Sequence, residues 1–237
     1  MLIARAPGRV TLIGDHTDYN QGLSLPMAID LATEATFTPK AGSFLIGVAS
    51  DQYPEPWEIP LGGTAPDPPQ AALAAALVAL AHPSSGGALR VTSTLPVGAG
   101  LSSSAAFSVA VLLALGGRED MAAEDTLSLA RLCQSAEDAA GSRVGLLDPL
   151  AILRAQQGHA LAIDFARLES IRCRSLRMRR LSSCTAESAA RSVRRPMPCA
   201  GPNAKEPRTS SAGPWDSARS VTSARCRIRC CAAGPAT

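Results

Sequence analysis

APGRVTLIGDHTDYNQGLSLPMAI, residues 6–29, holds an arginine, two carboxylates, a histidine, an asparagine and three glycines between apolar flanks. Val10, Leu12 and Ile13 supply strand material, while Gly8, Gly14 and Gly22 mark points where the backbone can turn tightly or approach a ligand. Asp15, His16 and Asp18 offer several acceptors and a ring nitrogen at close spacing. That set suits a polyhydroxylated ligand whose buried hydroxyls each need a partner. The same residues also suit a polar turn between two strands, with His16 and Asp18 capping it.

The chain has 237 residues, enough for a real core and one or two domains. Aromatics make up 3%, and no apolar run free of charge and turn residues reaches the roughly 18 residues that a membrane span requires. Residues 1–9, MLIARAPGR, lack the long apolar segment of a secretory signal, so a cytoplasmic protein with no membrane partner is expected. The net charge of +3 hides a division. Residues 1–170 carry 9 basic and 17 acidic side chains, whereas 171–237 carry 14 basic and 3 acidic ones and six of the seven cysteines. The chain therefore divides into 1–170 and a basic tail, 171–237.

In order along the chain, 1–4 reads as the end or edge of a strand. Residues 25–37 read as a short helix or strand, and 44–49 as a strand. Residues 53–69 are rich in Pro and Gly and read as a surface excursion, with Trp57 and Ile59 packing back. QAALAAALVALA, 70–81, is a strong helix former with almost no polar face, so it is expected between layers. Residues 89–95 alternate apolar and polar as a half-buried strand does.

PVGAGLSSSAA, 96–106, runs from that strand through Gly98 and Gly100 into a helix whose first turn holds Ser102, Ser103 and Ser104. Unpaired backbone N–H groups and the positive end of the helix dipole gather there, a geometry that cradles phosphate. It is not the GxxxxGK(S/T) loop, because no lysine follows the glycines. An ordinary serine-capped helix entry has the same composition.

Residues 122–140 read as a helix with Leu127, Leu129, Ala130, Leu132 and Cys133 inward and Glu124, Arg131 and Asp138 more exposed. Cys133 is expected to be core packing. Glu137 could complete a magnesium site in which phosphates supply the other oxygens. GLLDPLAILRAQ, 145–156, sets Asp148 in an apolar run, either as a base or as a first-turn residue satisfying helix N–H groups. Residues 158–165 close this part with a strand, with His159 at its start.

The order GRVTLIGDHTDYNQG, LPVGAGLSSSAA, CQSAED and GLLDP resembles the galactokinases, a branch of the GHMP small-molecule kinases, over about residues 4–165. The resemblance implies an α+β fold. The GHMP kinase N-terminal domain, like the second domain of ribosomal protein S5, would be followed by a ferredoxin-like C-terminal domain, with the active site between them. It also implies transfer of the γ-phosphoryl of MgATP to the anomeric hydroxyl of α-D-galactose, giving galactose 1-phosphate. Galactose and ATP would be the partners, Mg²⁺ the cofactor, and the cytoplasm the location.

Carried over by residue, the resemblance makes Arg9 and Asp148 catalytic: Arg9 would stabilise the transferring phosphoryl group, and Asp148 would accept or orient the anomeric hydroxyl. Asp15, His16 and Asp18 would bind sugar hydroxyls, Asn20 and Gly22 would shape that pocket, and Gly145 would let backbone approach the sugar. Gly98, Ala99, Gly100, Leu101, Ser102, Ser103, Ser104 and Ala105 would wrap the phosphates by their amides. Ser104, with Ser103 as alternative, and Glu137 would hold the metal.

The chain departs from the family pattern at Thr11, Asp15, Asp138 and Pro149, where the family has asparagine, glutamate, histidine and glutamine. From residue 171 no tyrosine-bearing second domain and no GxGFGG motif follow, so the ferredoxin-like domain has no counterpart in the sequence. The tail has little apolar periodicity, and it has no histidine or paired cysteine spacing for zinc. It reads as a disordered or frameshifted segment rather than a nucleic-acid binder. Two alternatives to a working galactokinase follow. One is a truncated or frameshifted product that at most binds sugar or nucleotide, the other a GHMP kinase for another sugar or alcohol. A monomer is expected of an intact chain, and aggregation of a truncated one.

Overall fold

A computed structural model describes residues 1–62, 69–116 and 126–174. Among these residues eight strands form one sheet, and four helices pack against it and against one another. The strands are β1 (Leu2–Thr11), β2 (Leu23–Ser24), β3 (Pro26–Pro39), β4 (Leu45–Ser50), β5 (Tyr53–Pro60), β6 (Gly87–Ser93), β7 (His159–Asp164) and β8 (Glu169–Arg174). The helices are α1 (Pro69–Ala81), α2 (Ser103–Gly116), α3 (Thr126–Ala139) and α4 (Leu147–Arg154). This is the α+β domain that the motifs imply.

Strand order is β2-β7-β3-β6-β4-β5, with β1 also on β3 and β8 on β7. All pairs are antiparallel except β4 with β6, whose parallel run needs the crossover that β5 and α1 provide. Period-2 patterning sets the buried face. Ala35 and Phe37 of β3, Leu89 and Val91 of β6, and Ile46 and Val48 of β4 all point into the core. The opposite face is polar, with Arg5 across from Glu34, Glu34 from Thr92, and Thr36 from Arg90.

The helices follow from composition in the same way. Ala71, Ala74, Leu77 and Val78 of α1 are buried, and α2 is buried nearly all round. That placement explains why neither sequence has a polar stripe. In α3 the buried positions are Leu129, Ala130, Cys133, Ala136 and Glu137, a single stripe at helical spacing that ends in a carboxylate. Cys133 is 1% exposed in this core, and burial pushes its thiol up to about 12, so it is packing material rather than a nucleophile.

Three elements differ from the sequence expectations, and one open alternative is resolved. β1 runs through Pro7 and Gly8 to Thr11, because Gly8 alone spans the stretch of β3 between Ala28 and Ala32 in a bulge. Of the two readings left open for 25–37, the strand is the one found, as β3 from Pro26 onward. Tyr53–Pro60 is a strand rather than an excursion, and its prolines are tolerated because β5 is a sheet edge that pairs only with β4. The sheet also continues past the charge boundary at 170, since β8 pairs along β7 from Glu169 to Arg174. Glu124 and residues 175–237, which include most of the basic tail, lie outside the described residues.

Candidate active site

Arg9 follows the irregularity at which Gly8 of β1 faces a bulge in β3. At Gly8 a Cβ would collide with the Leu95 side chain and lie 2.9 Å from the Leu101 carbonyl, so only glycine lets β1 run against the loop that leads into α2. One residue on, the Arg9 N–H donates to that carbonyl at 3.2 Å. The strand and the loop are thereby stitched together at the base of the site.

The Arg9 guanidinium turns toward α4. Its Nε donates to Asp148 Oδ1 at 2.7 Å, its Nη2 pairs with the same oxygen at 2.5 Å, and its Nη1 donates to the Gly100 carbonyl at 3.1 Å. The second oxygen of Asp148 accepts from Ser102 Oγ at 2.5 Å. Ser102 is buried and sits at φ +58°, a conformation unfavourable for a side-chain-bearing residue, immediately before α2 begins. Gly98 and Gly100 also have positive φ, so the loop turns left-handed three times before the helix.

The loop after β1 reaches the same helix from the other side. Asp18 Oδ2 accepts the Leu147 N–H at 3.1 Å in the first turn of α4, next to Asp148. A Cβ at Gly145 would overlap the Asp18 carboxylate, so glycine there is what admits it. Thr17 organises the loop, donating its hydroxyl to the Gly14 carbonyl at 2.7 Å and accepting the Gly22 N–H on its own carbonyl at 2.8 Å. Asn20 Nδ2 donates to the His16 carbonyl at 2.9 Å, and a Cβ at Gly22 would press on Thr17 Cβ at 2.8 Å. Asn20 and Gly22 therefore build the loop, while Asp15 and His16 are exposed on it, His16 at φ +62° and 6.0 Å from the Tyr19 ring.

On the other side of the α2 entrance, Glu137 is 4% exposed and hydrogen-bonded by Ser104. Burial pushes its carboxyl up to about 7; the Ser104 hydrogen bond opposes this, and the charges of Asp148 and Asp138 add to it. A buried carboxylate with acidic neighbours and no cationic partner among the described residues is short of positive charge. Glu137 and Ser104 are hard oxygen ligands, which fit Mg²⁺ when phosphate and water supply the rest of its shell.

Beside Ser103, Ser104 and Glu137 opens a cleft of about 330 Å³ whose walls include Tyr53, Trp57, Phe107 and Val97. The Tyr53 and Trp57 rings lie 5.4 Å apart. The sequence reading missed this wall because it took 53–69 for a loop. The available signal was that Trp57, Glu58 and Ile59 alternate apolar and polar as strand residues do. The direct hold of Ser102 on Asp148 was missed as well. At Thr11 the buried hydroxyl has no partner among the described residues.

Known proteins resemble this chain in sequence and fold. Residues 2–39 match the galactokinase galactose-binding signature, and 70–156 match the GHMP kinases N terminal domain. The chain is 47% identical over 169 residues to a galactokinase of Mycobacterium tuberculosis, covering 68% of this chain and 45% of that protein. A galactokinase of Canis lupus familiaris is 38% identical over 183 residues, covering 71% of this chain and 46% of the relative. The fold superposes on the crystal structure of Lactococcus lactis galactokinase complexed with galactose with TM-score 0.65 and 25% identity, covering 72% of this chain and 46% of that one. The chain thus spans about half the length of the curated relatives it matches. Over that matched part, which holds Arg9, Asp18, Ser102, Glu137 and Asp148, the chain belongs to the galactokinases of the GHMP kinase superfamily.

Proposed function

We propose that this chain binds galactose and MgATP and carries the acid–base and phosphate-binding half of a galactokinase centre. Asp148 would act on the anomeric hydroxyl. The observation that supports this best is the joint hold on Asp148: Arg9 on one oxygen, Ser102 on the other, and Asp18 on the amide of the preceding residue. Three separate sequence motifs meet on one carboxylate.

In the proposed transfer the anomeric oxygen bonds to the γ-phosphorus as the bond from that phosphorus to the β–γ bridging oxygen breaks. The hydroxyl proton moves toward Asp148. Such transfer depends on alignment and neutralised charge more than on a strong base, so Arg9, beside both Asp148 and the loop at Gly100, has the larger share. The first-turn amides of α2, which have no intrahelical acceptors, would hold the phosphates, and the Tyr53–Trp57–Phe107 cleft would take the base. Glu137 and Ser104 would hold Mg²⁺, which supplies charge neutralisation on the phosphates when bound.

The openness of the site favours binding over fast turnover. Arg9 and Asp148 keep 15% and 27% of their side chains exposed, and Asp15 and His16 stand in solvent. Water therefore reaches the groups that must be shielded during transfer.

Calorimetry with galactose and a coupled assay of ADP release test the reading together. Saturable galactose binding is expected, with slow galactose-dependent ADP release that Asp148→Asn reduces by about a hundredfold or more while binding survives. Absence of galactose binding overturns the assignment. Unchanged ADP release in Asp148→Asn removes Asp148 from the chemistry.

A further inference from the structure

At the far end of α4 from Asp148 lies a second cavity, of about 550 Å³, lined by Thr126, Leu153, Arg154, Leu161, Ser170, Ile171 and Arg172. We propose that it is a binding site for a small phosphoanion with an apolar body, separate from the galactokinase site.

The chemistry of its lining points that way. Arg154 is half-buried, and its Nε and Nη1 donate to Thr126 Oγ1 at 2.8 Å and Ser170 Oγ at 3.0 Å. Those bonds fix the plane of the guanidinium and use the hydroxyls as acceptors. Each hydroxyl still has its own proton to give. Arg172 leans on the same segment, its Nε directed at the Arg154 carbonyl at 3.4 Å, which leaves both of its terminal nitrogens free of that contact. Among the described residues neither arginine has a carboxylate within ion-pair distance.

Two guanidiniums therefore border one cavity with neutral partners only, and the polar side chains that line it offer donors rather than acceptors. Like charges gathered in a half-enclosed space are destabilising unless an anion sits between them. A planar guanidinium held rigid suits bidentate recognition of phosphate. Leu153, Leu161 and Ile171 supply apolar walls, and the volume exceeds what inorganic phosphate fills, so the favoured ligand carries an organic group.

The test is a titration of the full chain with phenyl phosphate, followed by NMR of the arginine Nε–Hε groups, with inorganic phosphate as the second probe. Saturable shifts of Arg154 and Arg172 are expected, tighter for phenyl phosphate, and about tenfold weaker binding in Arg172→Gln, whose loss removes one charge-assisted contact. Because Arg172 is exposed, that variant tests the site with the smallest risk to the fold; Arg154→Gln, checked by thermal melting, tests it a second time. Shifts confined to Arg9 would place the ligand in the galactokinase site and overturn the proposal. So would the absence of saturation, or affinity unchanged in both variants. Galactose binding is not needed for any of these readings, so they stand or fall apart from the proposed function.

Discussion

Asp18 accepts the backbone N–H of Leu147 at 3.1 Å, so a carboxylate from the loop after β1 satisfies the first turn of the helix that presents Asp148. A helix start has N–H groups that need acceptors, and here the acceptor is borrowed from a motif 129 positions away in the chain. The loop after β1 and the start of α4 are consequently tied together.

Gly145→Ala should break that tie. Its Cβ would occupy the space of the Asp18 carboxylate, so that side chain must swing away from the Leu147 N–H. Galactose affinity should fall about tenfold or more, since a displaced acceptor loses a charge-assisted bond. ATP affinity should stay within about twofold, because sites without shared partners are nearly independent. Calorimetry with each ligand in turn checks both statements.

Arg9→Lys retains the charge and loses the geometry. A lysine ammonium cannot reach Asp148 and the Gly100 carbonyl with one planar fork. ADP release should fall by about tenfold to a hundredfold while the melting temperature changes little. A rate equal to that of the wild type would mean that charge alone suffices.

How far the sequence discloses this arrangement depends on the range of the interaction. Glu137 is legible, because Leu129, Cys133 and Glu137 fall at helical spacing, and a carboxylate at the end of an apolar stripe must face inward. The α2 entrance is legible too, since glycines followed by serines and an unbroken apolar run admit little else. The contact of Arg9 with Asp148, 139 positions apart, follows from no local periodicity. β5 hides behind its prolines, which signal a loop to any reading that cannot know the strand lies at an edge. β8, ESIRCR, hides behind its charges, because it too pairs on one side only and keeps most side chains in solvent.

Glu137 should leave a signature in stability against pH. Its folded carboxyl is raised from 4.5 to about 7, so between those values the folded state binds a proton that the unfolded state has released. Its contribution is full below pH 4.5 and is lost as pH rises through 7, at about 1.4 kcal/mol per unit or roughly 3 kcal/mol in all. Urea unfolding from pH 4.5 to 8 should give a decline that Glu137→Gln removes. Mg²⁺ with ATP should also flatten it, because a cation favours the ionised form.

Gly8→Ala tests the bulge. The added methyl meets Leu95 and the Leu101 carbonyl together, and the backbone can yield only by opening the Arg9 to Leu101 hydrogen bond. A loss of about 1–3 kcal/mol is expected from urea unfolding, as for other overpacked core positions. A neutral result would show that the loop is free to retreat.

Ser102 joins a strained backbone to a useful hydroxyl, and two substitutions separate them. Ser102→Ala keeps the cost of φ +58° and removes the bond to Asp148; Ser102→Gly removes both. Glycine should therefore be more stable than alanine by about 1 kcal/mol, the usual penalty for a side chain in the left-handed region. If the hydroxyl serves to orient Asp148, both variants should lose ADP release by the same factor, and with near-equal affinity for galactose. Recovery of activity in the glycine variant alone would assign the role to the backbone turn instead. Equal stability of the two variants would indicate that the positive φ relaxes when the Asp148 contact is cut, so that the hydrogen bond itself holds the turn in place.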